Sequence, residues 1–299
     1  MAENFCAECN HDKSAPDGLC TKRKGSDGLV LRCVGYWTWY KHFYLERYID
    51  AFTKATRAKW KARCYIDLFS GPGLCMRRDT ENEIEGSPLI SMRTKCPFDK
   101  YVFIEKNSVA VQALKERLKG EGGSPNTHRP GRIEIIEGDC NALAELIASK
   151  IPAGSLSLAF MDQAGLDLHF ETIKLLAANE RRIDLIINVP IGTTINRNIK
   201  QFSEAPEARK MDAFWGDSSW RDFYRRLTQG VNDDLFDHKL LKEYRRRLQT
   251  LDFKYIDLGE EKKIKHFYYL VFVSKHKFGY ELWKKVNREN PDGQMEIKL

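Results

Sequence analysis

Two apolar runs near the end of the chain, "FKYIDLG" (253–259) and "FYYLVFVSK" (267–275), are separated only by the charged "EEKKIKH". Parallel neighbours need a crossover of about a dozen residues or more, so a link this short dictates an antiparallel pair. Upstream, five β-type runs alternate with helical patterns: "CYIDLF" (64–69), "KYVFIEKN" (100–107), "RIEIIEGD" (132–139), "SLSLAFMDQ" (155–163) and "RIDLIINV" (182–189). That alternation specifies βαβ units, and the near-continuous apolar character specifies strands buried on both faces. The expected fold is α/β, with a seven-stranded mixed sheet that ends in an antiparallel hairpin. A pure dinucleotide-binding Rossmann sheet predicts no such hairpin.

Helical patterns fill the gaps. Ser87-Pro88 reads as an N-cap followed by proline at the first helical position, opening "PLISMRT". "SVAVQALKERLKG" (108–120) ends on Gly120, and "NALAELIASK" (141–150) and "HFETIKLLAANE" (169–180) follow. Residues 190–250 read as a helical insertion before the hairpin. Residues 1–35 read as a cysteine-containing tail and 36–299 as one Rossmann-like domain. At its start, "YWTWYKHFYLERYIDAF" places Trp37, Tyr40, Tyr44, Tyr48 and Phe52 at three- and four-residue steps. That spacing is read as a core-facing stripe rather than a base-stacking platform.

With 299 residues, 42% of them apolar, the chain can bury a sizeable core. It has no apolar run of about eighteen residues, so no membrane span is expected. "MAENFCAECNHDK" lacks the basic start and apolar run of a signal peptide, and a cytoplasmic location is expected. The cysteines are then thiols or metal ligands before they are disulfides. A net charge of +7 is a mild pointer to polyanions, because acids are interleaved with the basic residues. Even "EYRRRLQ" (243–249) reads first as a solvated helix face.

In an open α/β sheet, ligands bind beyond the carboxyl ends of the strands. Asp67 ends the first run, and Gly71 and Gly73 in "YIDLFSGPG" allow a sharp turn and close approach of backbone to ligand. Glu105 ends the second and could accept both hydroxyls of a ribose. Asp139, after the third, could accept an adenine amino group, with the Cys140 amide as a donor. This succession is the order of an S-adenosylmethionine site, and with the terminal hairpin the topology resembles class I S-adenosylmethionine-dependent methyltransferases. A nicotinamide oxidoreductase fits Gly71, Gly73 and Glu105 but leaves Asp139 and the hairpin unexplained. Between the glycine turn and Ser87 lies "LCMRRDTENEIEG" (74–86), a lid, a substrate loop or a plain surface excursion.

"DLFSG" is also similar to the start of cytosine-C5 methyltransferases, which need a Pro-Cys nucleophile after the fourth strand. Here that place reads "DQAG" (162–165), and Cys96-Pro97 has the reverse order, so a C5 mechanism is rejected. Asp162 and Gln163 are the candidates for the transfer face, where a carboxylate or amide would hold a target nitrogen. The alternative is a turn packing under the helix that starts at His169. Asn188, with Asn196 and Arg197 in "TTINRN" (193–198), are candidates for substrate contact; the alternative is a loop bonded to itself. Cys6, Cys9, Cys20 and Cys33 could hold a structural zinc, but only the first two form a C-x2-C pair, and unliganded thiols are favoured.

"DGLVLRCVGYWTWYKHFYLERYIDAF", "YIDLFSGPG", "GSPL", "FIEKN" and "INRN" together resemble the three-Cys-motif partner (TcmP) family, over about residues 27 to 275. The resemblance implies a methyltransferase-like Rossmann domain in a bacterial or phage protein, with a three-cysteine, radical-SAM-like partner protein. The leading expectation is an S-adenosylmethionine-dependent methyltransferase acting on nucleic acid. Its alternative is a non-catalytic, methyltransferase-like partner subunit that binds nucleic acid or the three-cysteine protein.

Overall fold

The structure, a computed structural model, describes residues 18–120, 131–205, 208–228, 236–259 and 268–288. They form a mixed α/β fold. Its elements fall into two compact units, one of which holds the described residues up to Asp139, and the other most of those from Cys140 to Glu281.

In the first unit the order is β1 (Leu19–Lys24), β2 (Val30–Val34), α1 (Tyr36–Thr56), β3 (Arg63–Asp67), β4 (Leu74–Arg77), β5 (Glu83–Glu85), α2 (Ser87–Met92), β6 (Lys100–Glu105), α3 (Ser108–Gly120) and β7 (Ile133–Glu137). β3 and β6 pair in parallel with Tyr65 opposite Tyr101, and β6 and β7 pair in parallel with Glu105 opposite Glu137. Every residue of β3 is buried, the apolar Cys64, Tyr65 and Ile66 and also the charged Arg63 and Asp67 at its ends. On α1 the stripe Tyr44, Leu45, Tyr48, Ile49 and Phe52 is buried. Phe52 stacks on Phe98 at 5.8 Å, and Phe98 meets Tyr65 at 5.5 Å and Tyr101 at 5.6 Å. Each such ring removes enough apolar surface from water to contribute about 1.5–3 kcal/mol. Trp37 and Tyr40 are only half-buried, so the core-facing stripe starts at Tyr44.

The stretch 74–86 is neither a lid nor a loose excursion. It folds as an antiparallel β4–β5 pair within a second, four-stranded sheet of order β1-β2-β4-β5. β2 runs parallel to β4, with Arg32 opposite Cys75 and Val34 opposite Arg77. Residues 19–34 thus form a strand pair whose inward side chains, Cys20, Leu31 and Met76 from β4, build a small apolar cluster with Cys33 and Leu74.

The second unit holds α4 (Ala144–Lys150), β8 (Leu156–Met161), α5 (Phe170–Ala177), β9 (Arg182–Val189), a π-helical turn (Ile191–Ile195), α6 (Asn196–Glu204), α7 (Arg209–Trp215), α8 (Trp220–Thr228), α9 (Phe236–Gln249), β10 (Tyr255–Asp257), β11 (Tyr269–Ser274) and the start of α10 (Lys277–Val286). β8 and β9 are parallel, whereas β11 is antiparallel to β9 and also to β10, the latter being the reversal that the short 260–266 link dictates. The insertion is helical, and its core is aromatic: Phe214 stacks on Tyr244 at 5.0 Å, and Arg247 lies over Phe170 and Trp215.

The large sheet has the order β10-β11-β9-β8-β3-β6-β7. Counted by first appearance in that sheet, this is the doubly wound order 3-2-1-4-5 followed by the reversed final pair. No described helix is long and apolar enough to cross a membrane.

Candidate functional site

The turns after β3, β6 and β7 are stitched together by Glu105. Its Oε2 accepts the Gly71 N–H at 2.8 Å and its Oε1 the Asn107 N–H at 2.9 Å. Its backbone carbonyl accepts the Gly138 N–H at 3.0 Å, and the Ser70 N–H reaches the Ile104 carbonyl at 2.9 Å. A carboxylate offers about four lone-pair positions, and the two side-chain bonds fix its plane while leaving one acceptor position on each oxygen. Beside it the turn passes through Gly71 at φ +63° and Gly73 at φ +93°, values that disfavour a Cβ.

Asp67 is fully buried beneath this turn. Its Oδ1 accepts the Phe69 N–H at 3.2 Å and its carbonyl accepts the Ser70 hydroxyl at 3.1 Å, so it shapes the first bend. Asp139 is exposed just beyond β7, whereas Cys140 is buried. The first unit therefore brings Asp67, Gly71, Gly73 and Glu105 together at one set of strand ends and places Asp139 after the neighbouring strand. Glu105 is 8% exposed, and the glycines leave the backbone without side chains beside it.

One organiser of this turn is Arg117 on α3. Its Nη1 donates to the Pro72 carbonyl at 2.6 Å and to the Val30 carbonyl at 2.9 Å, while Nε and Nη2 grip Asp27 at 2.7 and 3.0 Å. That guanidinium holds the Asp27 carboxyl below its ordinary range. The sequence carried a signal: Ala110, Ala113, Leu114 and Leu118 mark the buried face of α3, and Arg117 falls on it. Gly86 is a second organiser, since its N–H donates to the Gly73 carbonyl at 2.7 Å and an added Cβ would lie 2.9 Å from that oxygen.

In the second unit, Gln163 and Asn188 are fully buried and lock to each other. Gln163 Nε2 donates to the Asn188 carbonyl at 3.0 Å, and Asn188 Nδ2 donates to the Gln163 carbonyl at 2.9 Å. Gln163 Oε1 accepts the N–H groups of Asp167 and Leu168 at 2.9 and 2.8 Å. Gln163 thus has both ends of its amide committed to the turn that leads to α5. Asn141 braces the same turn, donating to the Asp167 carbonyl and accepting from the His169 N–H and the Thr172 hydroxyl.

Asp162 is half-buried directly after β8. The three candidates for substrate contact are not gathered: Asn188 is buried, Asn196 is exposed and bonds Asp237 on α9 at 2.7 Å, and Arg197 is exposed. Cys6 and Cys9 lie outside the described residues. Cys20 and Cys33 belong to the apolar cluster under β2 and β4, and Cys20 Sγ accepts the Arg23 N–H. Among the described residues no three His, Cys, Asp or Glu side chains form a metal-binding group.

No family model matches the chain, and no curated protein matches it. Among solved structures, a DUF519 protein from Legionella pneumophila superposes with a TM-score of 0.49 at 10% identity, covering 83% of this chain and 90% of that one. The plantazolicin methyltransferase BamL, in complex with a triazolic desmethylPZN analog and SAH, gives 0.37 at 10% identity, covering 81% and 87%. M. jannaschii TYW2 in complex with AdoMet gives 0.36 at 10% identity, covering 86% and 85%.

Proposed function

We propose that this chain is an S-adenosylmethionine-dependent methyltransferase acting on nucleic acid. The observation that carries the reading is the Glu105 carboxylate, oriented by the Gly71 and Asn107 N–H groups at the end of the second parallel strand. Glu105 would hold the ribose hydroxyls, the glycine turn would lie along the cofactor, and Asp139 with the Cys140 amide would take the adenine. The cofactor, when bound, supplies an electrophilic methyl group. Asp162 is then the acid at the transfer face, with Gln163 and Asn188 positioning its turn. Calorimetry with S-adenosylmethionine, S-adenosylhomocysteine and NAD side by side tests this; binding of NAD alone would end it.

The resemblance to three-Cys-motif partner proteins supports a companion protein with a three-cysteine, radical-SAM-like motif as the physiological partner. A second reading, a methyltransferase-like subunit that senses the cofactor without transferring its methyl, is favoured by one observation. Gln163, half of the expected transfer pair, has both ends of its amide engaged inside its own turn. Tritiated methyl transfer to DNA, tRNA and rRNA fractions separates the two.

A further inference from the structure

The carboxylates of the helical insertion are each taken by one particular arginine. Asp212 pairs with Arg221, Asp217 with Arg247, Asp222 with Arg225 and Glu243 with Arg246. A second set of cations is left over. Arg197 and Lys200 on α6, and Lys242 and Arg245 on α9, are exposed, and among the described residues they have no carboxylate partner. Together α6 and α9 carry seven basic side chains against three acids, Glu204, Asp237 and Glu243. A helix that only faces water gains from interleaved charges, as Asp222 and Arg225 show on α8. On α9, by contrast, Lys239, Lys242 and Arg245 follow at three-residue steps and Arg246 stands four beyond Lys242; on α6, Arg197 and Lys200 are three apart. Like charges at these spacings share a helix face and repel, which a bound polyanion would relieve. The helix dipole explains Arg245 and Arg246 near the end of α9, but not Lys239 and Lys242.

Asp237 fixes where the two helices begin. Its Oδ1 accepts the Asn196 Nδ2 at 2.7 Å, and its Oδ2 accepts the Tyr269 hydroxyl at 3.3 Å. Tyr269 opens β11 opposite Val189, the last residue of β9. The starts of α6 and α9 therefore lie together at the carboxyl end of β9, the edge at which ligands meet an open α/β sheet. β8 runs beside β9 with Met161 opposite Ile187, so Asp162, the next residue, stands at the same edge.

The exposed positions of α6 and α9 hold no aromatic ring. Single strands are gripped by stacking their bases on such rings, whereas a double helix hides its bases and presents phosphates. We infer that Arg197, Lys200, Lys242 and Arg245 form a phosphate track for a nucleic-acid double helix, which sets the substrate's backbone at the strand edge that carries Asp162. This rests on the nucleic-acid reading above, and it names the face that grips the substrate and the form it grips.

The test is fluorescence anisotropy over a salt series with a labelled DNA duplex, an RNA hairpin and an unstructured single strand, on the full chain and without cofactor. Failure of cofactor binding therefore leaves this readout intact. The double helices should bind more tightly than the single strand, and the two arms show whether DNA or RNA is preferred. Lys242→Gln/Arg245→Gln should lower the slope of log affinity against log salt by about two, and weaken binding at about 0.1 M salt by at least about tenfold. Arg197→Gln/Lys200→Gln should act in the same direction. Arg57→Gln/Lys61→Gln removes as much charge from exposed positions of the other unit and should leave the slope unchanged. Lys242→Arg/Arg245→Lys keeps the charge and should bind like wild type, which separates charge from folding. Wild-type binding with an unchanged slope in both track variants, an equal loss in the control, or tighter binding of the single strand would overturn the track and leave the nucleic-acid reading standing. No binding of any of the three polymers would end both.

Discussion

Arg117 and Asp27 meet in a two-pronged ion pair, Nε to Oδ2 at 2.7 Å and Nη2 to Oδ1 at 3.0 Å, and the remaining prong of the guanidinium holds the Pro72 carbonyl at 2.6 Å. The arginine side chain is 4% exposed and the aspartate 32%. The pair therefore fixes the glycine turn from a partly dry position, with α3 on one side and the β1–β2 turn on the other.

Lysine cannot reproduce that fork, because its ammonium is a single point of charge. Arg117→Lys should lower stability by about 2 kcal/mol, between the values for exposed and buried pairs. S-adenosylmethionine affinity should fall by about tenfold as the turn loosens. Thermal unfolding and calorimetry check the two effects, and a variant with wild-type values in both would show the turn to be self-supporting.

The same pair predicts a pH signature. Asp27 has a depressed carboxyl pKa in the folded chain, chiefly through its hydrogen bond to Arg117. Its contribution is therefore complete at neutral pH, above the unfolded value of about 4, and is lost as pH falls through the folded value. Asp27→Asn should be less stable than wild type at pH 7, and the gap should narrow as pH falls from 7 through about 4 and below. Urea midpoints measured across that range decide it; a gap independent of pH would contradict the assignment.

Removing Glu105 should do more than empty a ribose site. Glu105→Ala forfeits two charge-assisted bonds to backbone N–H groups, each worth about 1.5–3 kcal/mol. Both cofactor affinity and melting temperature should fall. Glu105→Gln should sit between alanine and wild type, since one of its amide ends must face a backbone donor with another donor. The check is calorimetry paired with differential scanning; a variant that loses affinity alone would mean that the turn holds itself.

On the proposed function, a change at Asp162 distinguishes catalysis from sensing. Only interactions that strengthen in the transition state accelerate transfer. Asp162→Ala should leave cofactor binding within a few fold while methyl transfer falls by about two orders of magnitude or more. An active wild type whose Asp162→Ala variant transfers equally well would move the transfer face elsewhere.

Cys64 offers a probe of the sheet. It is 0% exposed on β3, and burial pushes its thiol pKa up to about 12. The thiolate is the reactive form, so at pH 8 Cys64 should label only when β3 opens. Among the described cysteines, the half-buried Cys33 and Cys96 should label first. Iodoacetamide labelling followed by peptide mass spectrometry reads the order, and equal rates for Cys64 and Cys96 would refute it.

The large sheet was legible because each central strand is a mostly apolar run, and β11 because its link to β10 is too short for anything but a reversal. The four-stranded sheet was not. "LCMR" and "EIE" are too short to show a period, and β1 and β2 lie among cysteines and basic residues that read as a tail. What makes these segments strands is pairing between residues such as Arg32 and Cys75, which no local pattern reports. Gln163 shows the same limit at a single residue. An amide after a strand reads equally as a substrate contact or a brace, and only the positions of the Asp167, Leu168 and Asn188 backbones reveal the brace.

The parallel pairing of β2 with β4 bears on how the chain is assembled. Everything between them, α1, β3 and the glycine turn, must be threaded before their ladder can close, so this contact comes late and at a high loop-closure cost. A chain begun at Tyr36 would retain every strand of the large sheet yet leave β4 with a bare ladder edge, an invitation to strand exchange with a second copy. The residues ahead of the aromatic helix are thus a chaperoning strip for the turn that follows it, and shortened versions should be judged by self-association before they are judged by activity.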